Sequence, residues 1–136
     1  MREEILIKHL KNLTRENNKI KDAFIMGTDG LLIAVKEKKD ETQRIAARMA
    51  GVIDAARRIE NIIPEALSVT NKNEKIITVP LSETFLIVVI GSKDLTSNEA
   101  IRLIEKSKQY ILGMIEKTEF SDLFSFRPTE VEGLDI

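Results

Sequence analysis

The residue types that carry most enzymatic chemistry are nearly missing from this chain. It has one histidine, His9, and no cysteine. Without cysteine there is no disulfide, thiolate metal site, iron–sulfur cluster or cysteine nucleophile. His9 stands among lysines in the first amphipathic segment, where a lone imidazole reads as a solvated or helix-capping group; a general base needs a positioned partner. A zinc site is not expected from one histidine alone. The carboxylates are plentiful but scattered, without calcium-loop spacing. Gly91-Ser92-Lys93 follows a long apolar run, as a phosphate-binding loop would. That loop needs lysine directly after glycine and another glycine five residues upstream of the first. Here Ser92 intervenes and Leu86 holds the upstream position. No paired-glycine dinucleotide fingerprint is present either. Arg57-Arg58 is an isolated basic pair without interleaved aromatics, so nucleic acid is not an expected partner. These readings leave no catalytic residue, no cofactor and no metal to expect.

The remaining chemistry is that of surfaces, which the elements must position. With 136 residues, 43% hydrophobic and 32% charged, the chain has room for one packed domain and a short tail. Lys and Arg total 21 against 22 Asp and Glu, a formal net charge of −1 that gives no field for non-specific nucleic-acid binding. The longest apolar run, Phe85 to Ile90, is too short to span a bilayer. The amphipathic segments alternate charge signs and lack aromatic anchors, so no membrane insertion is expected. A soluble, cytoplasmic, single-domain protein is the reading that results.

Ile5, Leu6, Leu10 and Leu13 recur at helical spacing between Arg2 and about Asn17, and Asn17-Asn18 is a plausible stop because asparagine tolerates left-handed backbone. Ala23 to Met26 and Leu31 to Val35 flank Gly27-Thr28-Asp29-Gly30, a hairpin signal. Ala66 to Thr70 alternates, Asn71 to Glu74 turns, and Lys75 to Val79 is β-branched, with Pro80 expected to end that strand. Thr84 to Gly91 is apolar on both faces, which places it mid-sheet with helices on both sides. Thr96 and Glu99 form a capping-box pattern opening a last helix that runs to about Lys117. In that helix Ala100, Ile101, Ile104, Ile111, Met114 and Ile115 lie on one side. Beyond it, Phe120, Phe124 and Phe126 crowd the tail, followed by Pro128 and an acidic end. These aromatics either fold back onto the domain or form a short partner-binding motif, and the cost of exposing phenylalanine favours burial on the chain itself or on a symmetry mate.

Thr42 to Ile63 is the most informative segment. At about 100° per residue, Ile45, Met49, Val52, Ala56, Ile59 and Ile63 form one stripe, read as the core-facing seam. Roughly opposite lies Ala47, Gly51, Asp54, Ala55, Arg58 and Ile62, a row with few long charged side chains. Glycine inside a helix costs up to about 1 kcal/mol relative to alanine, so Gly51 asks for a packing reason. Small side chains let a second helix axis approach to about 8 Å. The helix is either sandwiched within its own domain or packed against another copy of itself. A domain of this size seldom covers a helix on both sides, which favours the second arrangement. Pro64 is expected to end the helix.

The order helix, two strands, helix, three strands, helix resembles the roadblock / dynein-light-chain family. The resemblance is carried by Ala23-Phe24-Ile25-Met26 into Thr28-Asp29-Gly30-Leu31-Leu32-Ile33-Ala34, and by the alanine-rich helix around Arg44 to Ile59. Lys75-Ile76-Ile77-Thr78-Val79-Pro80-Leu81 leading into Phe85-Leu86-Ile87-Val88-Val89-Ile90 is similar to the family's final hairpin. It spans about Arg2 to Lys117, dividing the chain into a domain at 1–118 and a tail at 119–136. The fold it implies is α+β, an α/β sandwich of profilin/longin type. In it a five-stranded antiparallel sheet carries the second helix on one face and the terminal helices on the other. The resemblance also implies a homo- or heterodimer in which second helices pack together and the following strand joins a sheet continued across the dimer. The residues concerned would be Ala47, Gly51, Asp54, Ala55 and Arg58, with Leu67 and Val69 on the strand. The function implied is a non-enzymatic dimeric regulator or scaffold for a Ras-like small GTPase, modulating its GTP hydrolysis or localisation, with a homodimer the expected form. An activator of that kind can supply an arginine in trans. Arg44, Arg48, Arg57 and Arg58 lie near the expected face, and none is assigned that role. A stand-alone ligand-binding or sensor domain, or a small enzyme using the sheet–helix cleft, is the alternative, since fold does not fix function.

Overall fold

A computed structural model describes residues 2–37, 39–62 and 64–115. The Phe-rich tail, its acidic end and the expected boundary at 118/119 lie outside the described residues. The strands are β1 (Ile20–Gly27), β2 (Leu32–Val35), β3 (Leu67–Thr70), β4 (Lys75–Pro80) and β5 (Phe85–Gly91). They form one antiparallel sheet in the order β2-β1-β5-β4-β3. The helices are α1 (Arg2–Glu16), α2 (Asp40–Glu60), α3 (Ser97–Glu105) and a further helical stretch, α4, over 108–115. The strand that is apolar on both faces, β5, takes the centre, as its composition requires.

Its alternation divides the interior. Ile87 and Val89 join Ile25, Ile77 and Val79 beneath α1, α3 and α4, where Leu6, Leu10, Leu13, Ile104 and Ile111 are buried. Leu86 and Val88 join Phe24, Met26 and Val35 beneath α2, which contributes Ala46, Met49 and Ile53. Burying one such large side chain stabilises the fold by about 1.5–3 kcal/mol. Among the described residues helices therefore cover both faces of the sheet, three on one side and α2 on the other.

Turn chemistry sets the register. Gly30 sits at φ +90° and donates its N–H to the Gly27 carbonyl at 3.0 Å, while Asp29 Oδ1 accepts from the Leu31 N–H at 3.1 Å. Asn71 Oδ1 accepts from the backbone of Asn73 and Glu74, closing the β3–β4 turn. The Thr28 N–H donates to the Thr84 carbonyl at 2.9 Å and ties the two hairpin ends together. Gly91 has a different reason. A Cβ there would stand 2.5 Å from the Lys19 carbonyl oxygen, which accepts from the Ser92 N–H. Gly91-Ser92-Lys93 is thus a point of close backbone approach between β5 and the start of β1.

Several boundaries differ from expectation. α1 stops at Glu16 without a left-handed asparagine: Asn17 Oδ1 instead accepts from the Lys19 N–H at 2.9 Å. α2 ends at Glu60, three residues before the expected Ile63, because Asn61 adopts the left-handed conformation at φ 61°. Pro64 therefore follows a helix already closed. The last helix is not continuous, since the Ser107 N–H turns back to the Ile104 carbonyl and helix resumes at 108. Ala100 and Ile104 are buried before this turn, and Ile111 and Ile115 after it, so both pieces keep an apolar side on the sheet. His9 is neither capping nor fully solvated: its ring lies 4.6 Å from that of Tyr110, tilted by 47°, between α1 and α4.

The capping box at α3 forms as its spacing predicts, and it does more than cap. Thr96 Oγ1 accepts the Glu99 N–H, and the Glu99 carboxylate accepts from the Thr96 N–H. Lys19 Nζ then reaches Glu99 at 3.1 Å, and Asn17 Nδ2 at 3.3 Å. The Lys19 bond, then that of Asn17, hold the Glu99 carboxyl below the ordinary glutamate range. A carboxyl depressed in the folded state contributes stability that is present above its unfolded value and lost as pH falls through the folded one. Glu99→Gln should therefore melt lower than wild type at neutral pH and lose less stability on acidification below about pH 4.5. Thermal melts of both proteins across that window check it. On β4, Thr78 is fully buried on the α2 side, and its hydroxyl has no hydrogen-bond partner among the described residues. Thr78→Val removes that unsatisfied group at similar shape and should raise stability by about 1 kcal/mol in denaturant unfolding.

Candidate functional site: the outer face of the second helix

α2 has two apolar rows, and only the sheet decides which one is buried. The buried residues are Thr42, Ala46, Met49 and Ile53, with Ile45 and Ala50 packed beside them. This row is rotated by roughly 70° from the expected seam at 100° per residue. Met49 is common to both. Val52 and Ile59, expected in the core, are instead 39% and 80% exposed. Ile63 lies outside the described residues. The rotation has a local cause on one flank. The β1–β2 turn presses on α2, where a Cβ at Gly30 would stand 3.4 Å from Ala47 Cα. Farther along, Arg57 Nη2 donates to the Glu83 carbonyl at 2.8 Å, which fastens the helix to the β4–β5 turn.

Opposite the buried row, Ala47, Gly51, Asp54, Ala55 and Arg58 are all exposed on one side of α2. Gly51 lies at the middle of this side, and a Cβ built there meets nothing within 4 Å. No neighbour among the described residues explains a glycine at this position. Arg44 and Arg48 share the exposed side, whereas Arg57 is drawn onto the turn and leaves it. Arg58 bridges Asp54 at 2.8 Å across one helical turn, with both side chains largely in water. Such an exposed pair contributes no more than about 1 kcal/mol. Of the two strand residues, Leu67 is half-buried against the α2-side core, and Val69, two positions along on the same sheet face, is 41% exposed. Among the described residues β3 pairs only with β4, so no described strand pairs with the backbone groups of its other edge. Val52, Ile59 and Ile62 add exposed apolar surface that the helical periodicity alone did not assign to this side. The row Ala46, Ala50, Ile53 was the available signal, masked by the larger residues of the competing stripe.

Elsewhere the surface offers little that converges. An open groove of about 730 Å³ runs between α1, β1 and the start of α2. It mixes Lys11, Arg15 and Lys21 with Glu41 and Glu74, and its Asp22 and Lys36 lie 3.7 Å apart. Among the described residues no three His, Cys, Asp or Glu side chains gather as a metal would require. No described helix is long and apolar enough to cross a membrane. The helix rotation is testable. Ile53→Ala should cost about 2–5 kcal/mol in unfolding measurements at high dilution. Ile59→Ala should change the stability of the isolated chain by no more than about 0.5 kcal/mol.

Comparison with solved structures places this architecture among related folds. The gliding protein MglB of Thermus thermophilus superposes with a TM-score of 0.73 at 14% identity, covering 85% of this chain and 92% of that one. An MglB structure described with a tetrameric arrangement gives 0.72 at 14% identity, covering 85% and 91%. Profilin IA of Acanthamoeba castellanii gives 0.55 at 16% identity, covering 78% and 95%, in keeping with the profilin-like layering. No curated protein matches the chain by sequence. The family model of the Roadblock/LC7 domain matches residues 6–91, from α1 through the end of the central strand. That span takes in the whole sheet together with α2, and the chain belongs to the Roadblock/LC7 domain family.

Proposed function

We propose that this chain is a non-enzymatic regulator or scaffold that works as a cytoplasmic homodimer and binds a Ras-like small GTPase, modulating its GTP hydrolysis or localisation. The observation that carries the dimer is the outer face of α2. Gly51 is open to 4 Å, Ala47 and Ala55 flank it one turn away on either side, and Val52 and Ile59 expose apolar surface beside it. Two such faces can approach to about 8 Å between axes, burying side chains that the domain leaves in water. The open edge of β3, with Leu67 and Val69, lies on the same face of the sheet and offers backbone groups to a second sheet. Membership of the Roadblock/LC7 family supports the GTPase as partner. A dimer presents a broad surface on which a GTPase can dock, so the chemistry of hydrolysis belongs to the GTPase, and the contribution of this protein is positioning.

The solution mass of the wild type by light scattering should be twice the chain mass. Gly51→Arg should halve it with the fold retained, since the site is open and arginine is the better helix former by up to about 1 kcal/mol. Candidate Ras-like GTPases should bind the wild type and change their rate of GTP hydrolysis in its presence. A monomeric wild type would remove the dimer, and a lack of binding and rate change across the candidates would remove the GTPase.

A further inference from the structure

We propose that the cleft between α3 and the end of β4 is a docking site for this chain's own tail, and that the ring of Phe120 is the group it takes. The cleft has a volume of about 180 Å³, and Pro64, Val79, Pro80, Ile101 and Ile104 give it apolar walls. Val79 and Ile104 are buried in the core beneath α1, α3 and α4 and make its floor, whereas Pro64, Pro80 and Ile101 are only partly covered. Glu65, Glu105 and Lys108 complete the lining, and the two exposed glutamates stand at the mouth. An aliphatic cavity of about 150 Å³ admits one benzene molecule, so this cleft is sized for a single phenyl ring.

The length and direction of the chain select the tail as occupant. Lys108 lines the cleft and is also the first residue of α4. Ile115, the last residue described, lies seven positions on, about 10 Å along the helix. Phe120 follows five residues later, and five extended residues span up to about 17 Å, enough to bring the ring back to the cleft. Ile115 and the cleft floor belong to the same core, so this path stays on one face of the sheet. The exposed Val52 and Ile59 of α2 lie across the sheet, beyond its edge. In Phe120-Ser121-Asp122-Leu123-Phe124, Leu123 and Phe124 stand three and four residues after Phe120, the spacing of one apolar helical side. With Phe120 seated, that side covers the half-buried Ile101 and Pro80, and apolar surface on both partners leaves water.

The chain has no cysteine, so a disulfide trap in the full-length protein reads the contact without background. Glu105→Cys at the mouth, combined with Ser121→Cys beside the ring, should close an intramolecular disulfide on mild oxidation, seen as a faster-migrating monomer on a non-reducing gel. Adding Phe120→Ala to that pair should slow closure at least tenfold, with circular dichroism showing the fold retained. In the cysteine-free chain, Phe120→Ala should also shift the methyl resonances of Ile101 and Ile104, which lose the shielding of the ring. A closure rate and methyl resonances that Phe120→Ala leaves unchanged would overturn the docking. Disulfide-linked dimers in place of linked monomers would overturn the assignment to the chain's own tail and give the cleft to the tail of a second copy. Neither result bears on the outer face of α2, so the two proposals stand or fall separately.

Discussion

The fold depends on a central strand with no polar face. Leu86 and Val88 point to one side of β5, Ile87 and Val89 to the other, and each set must be kept from water. One side is closed by α1, α3 and α4. On the other, α2 is the one described helix laid over the five-stranded sheet. A lone helix covers the middle of such a sheet and leaves its margin thin, which is why Leu67 and Ile76 are only partly buried and Val69 is exposed. The helix that closes the core is also the helix whose back is exposed. This double duty shows in the composition of α2, with Ala46, Met49 and Ile53 inward and Ala47, Gly51 and Ala55 outward beside the exposed Val52 and Ile59.

The two layers are joined by polar contacts between segments far apart in the chain. Lys19, where α1 gives way to β1, binds Glu99 at the start of α3, and its carbonyl takes the N–H of Ser92 just past β5. A loop that superficially resembles a phosphate cradle thus serves to lock one end of the sheet. At the opposite end, the β1–β2 turn touches α2, and Arg57 holds the β4–β5 turn. These contacts fix the height and rotation of α2 over the sheet. In doing so they settle which of its arginines face outward.

Much of the fold is legible without coordinates because the signals are local. Gly30 after Asp29 specifies a turn through backbone sterics, and Thr96 with Glu99 specifies a helix start through hydrogen bonds within four residues. The small-residue row of α2 was legible for a related reason: glycine in a helix interior has a known cost, and Gly51 finds no neighbour among the described residues. The core seam was less legible. Val52 and Ile59 have the right type for a core and the wrong side of the helix, since a period of 3.6 admits either of two rows some 70° apart.

From its sequence alone this protein's element order, the central place of β5, the hairpin turns and the resemblance to its family could be read, because each rests on periodicity or on turn and capping chemistry spanning a few residues. Tertiary structure alone decided the rotation of α2, the removal of Arg57 from its outer face, the tilted ring contact of His9 with Tyr110 and the capture of Glu99 by Lys19. Those features join residues up to about a hundred positions apart. Their partners are chosen by the sheet that brings distant segments together, and no local pattern encodes that choice.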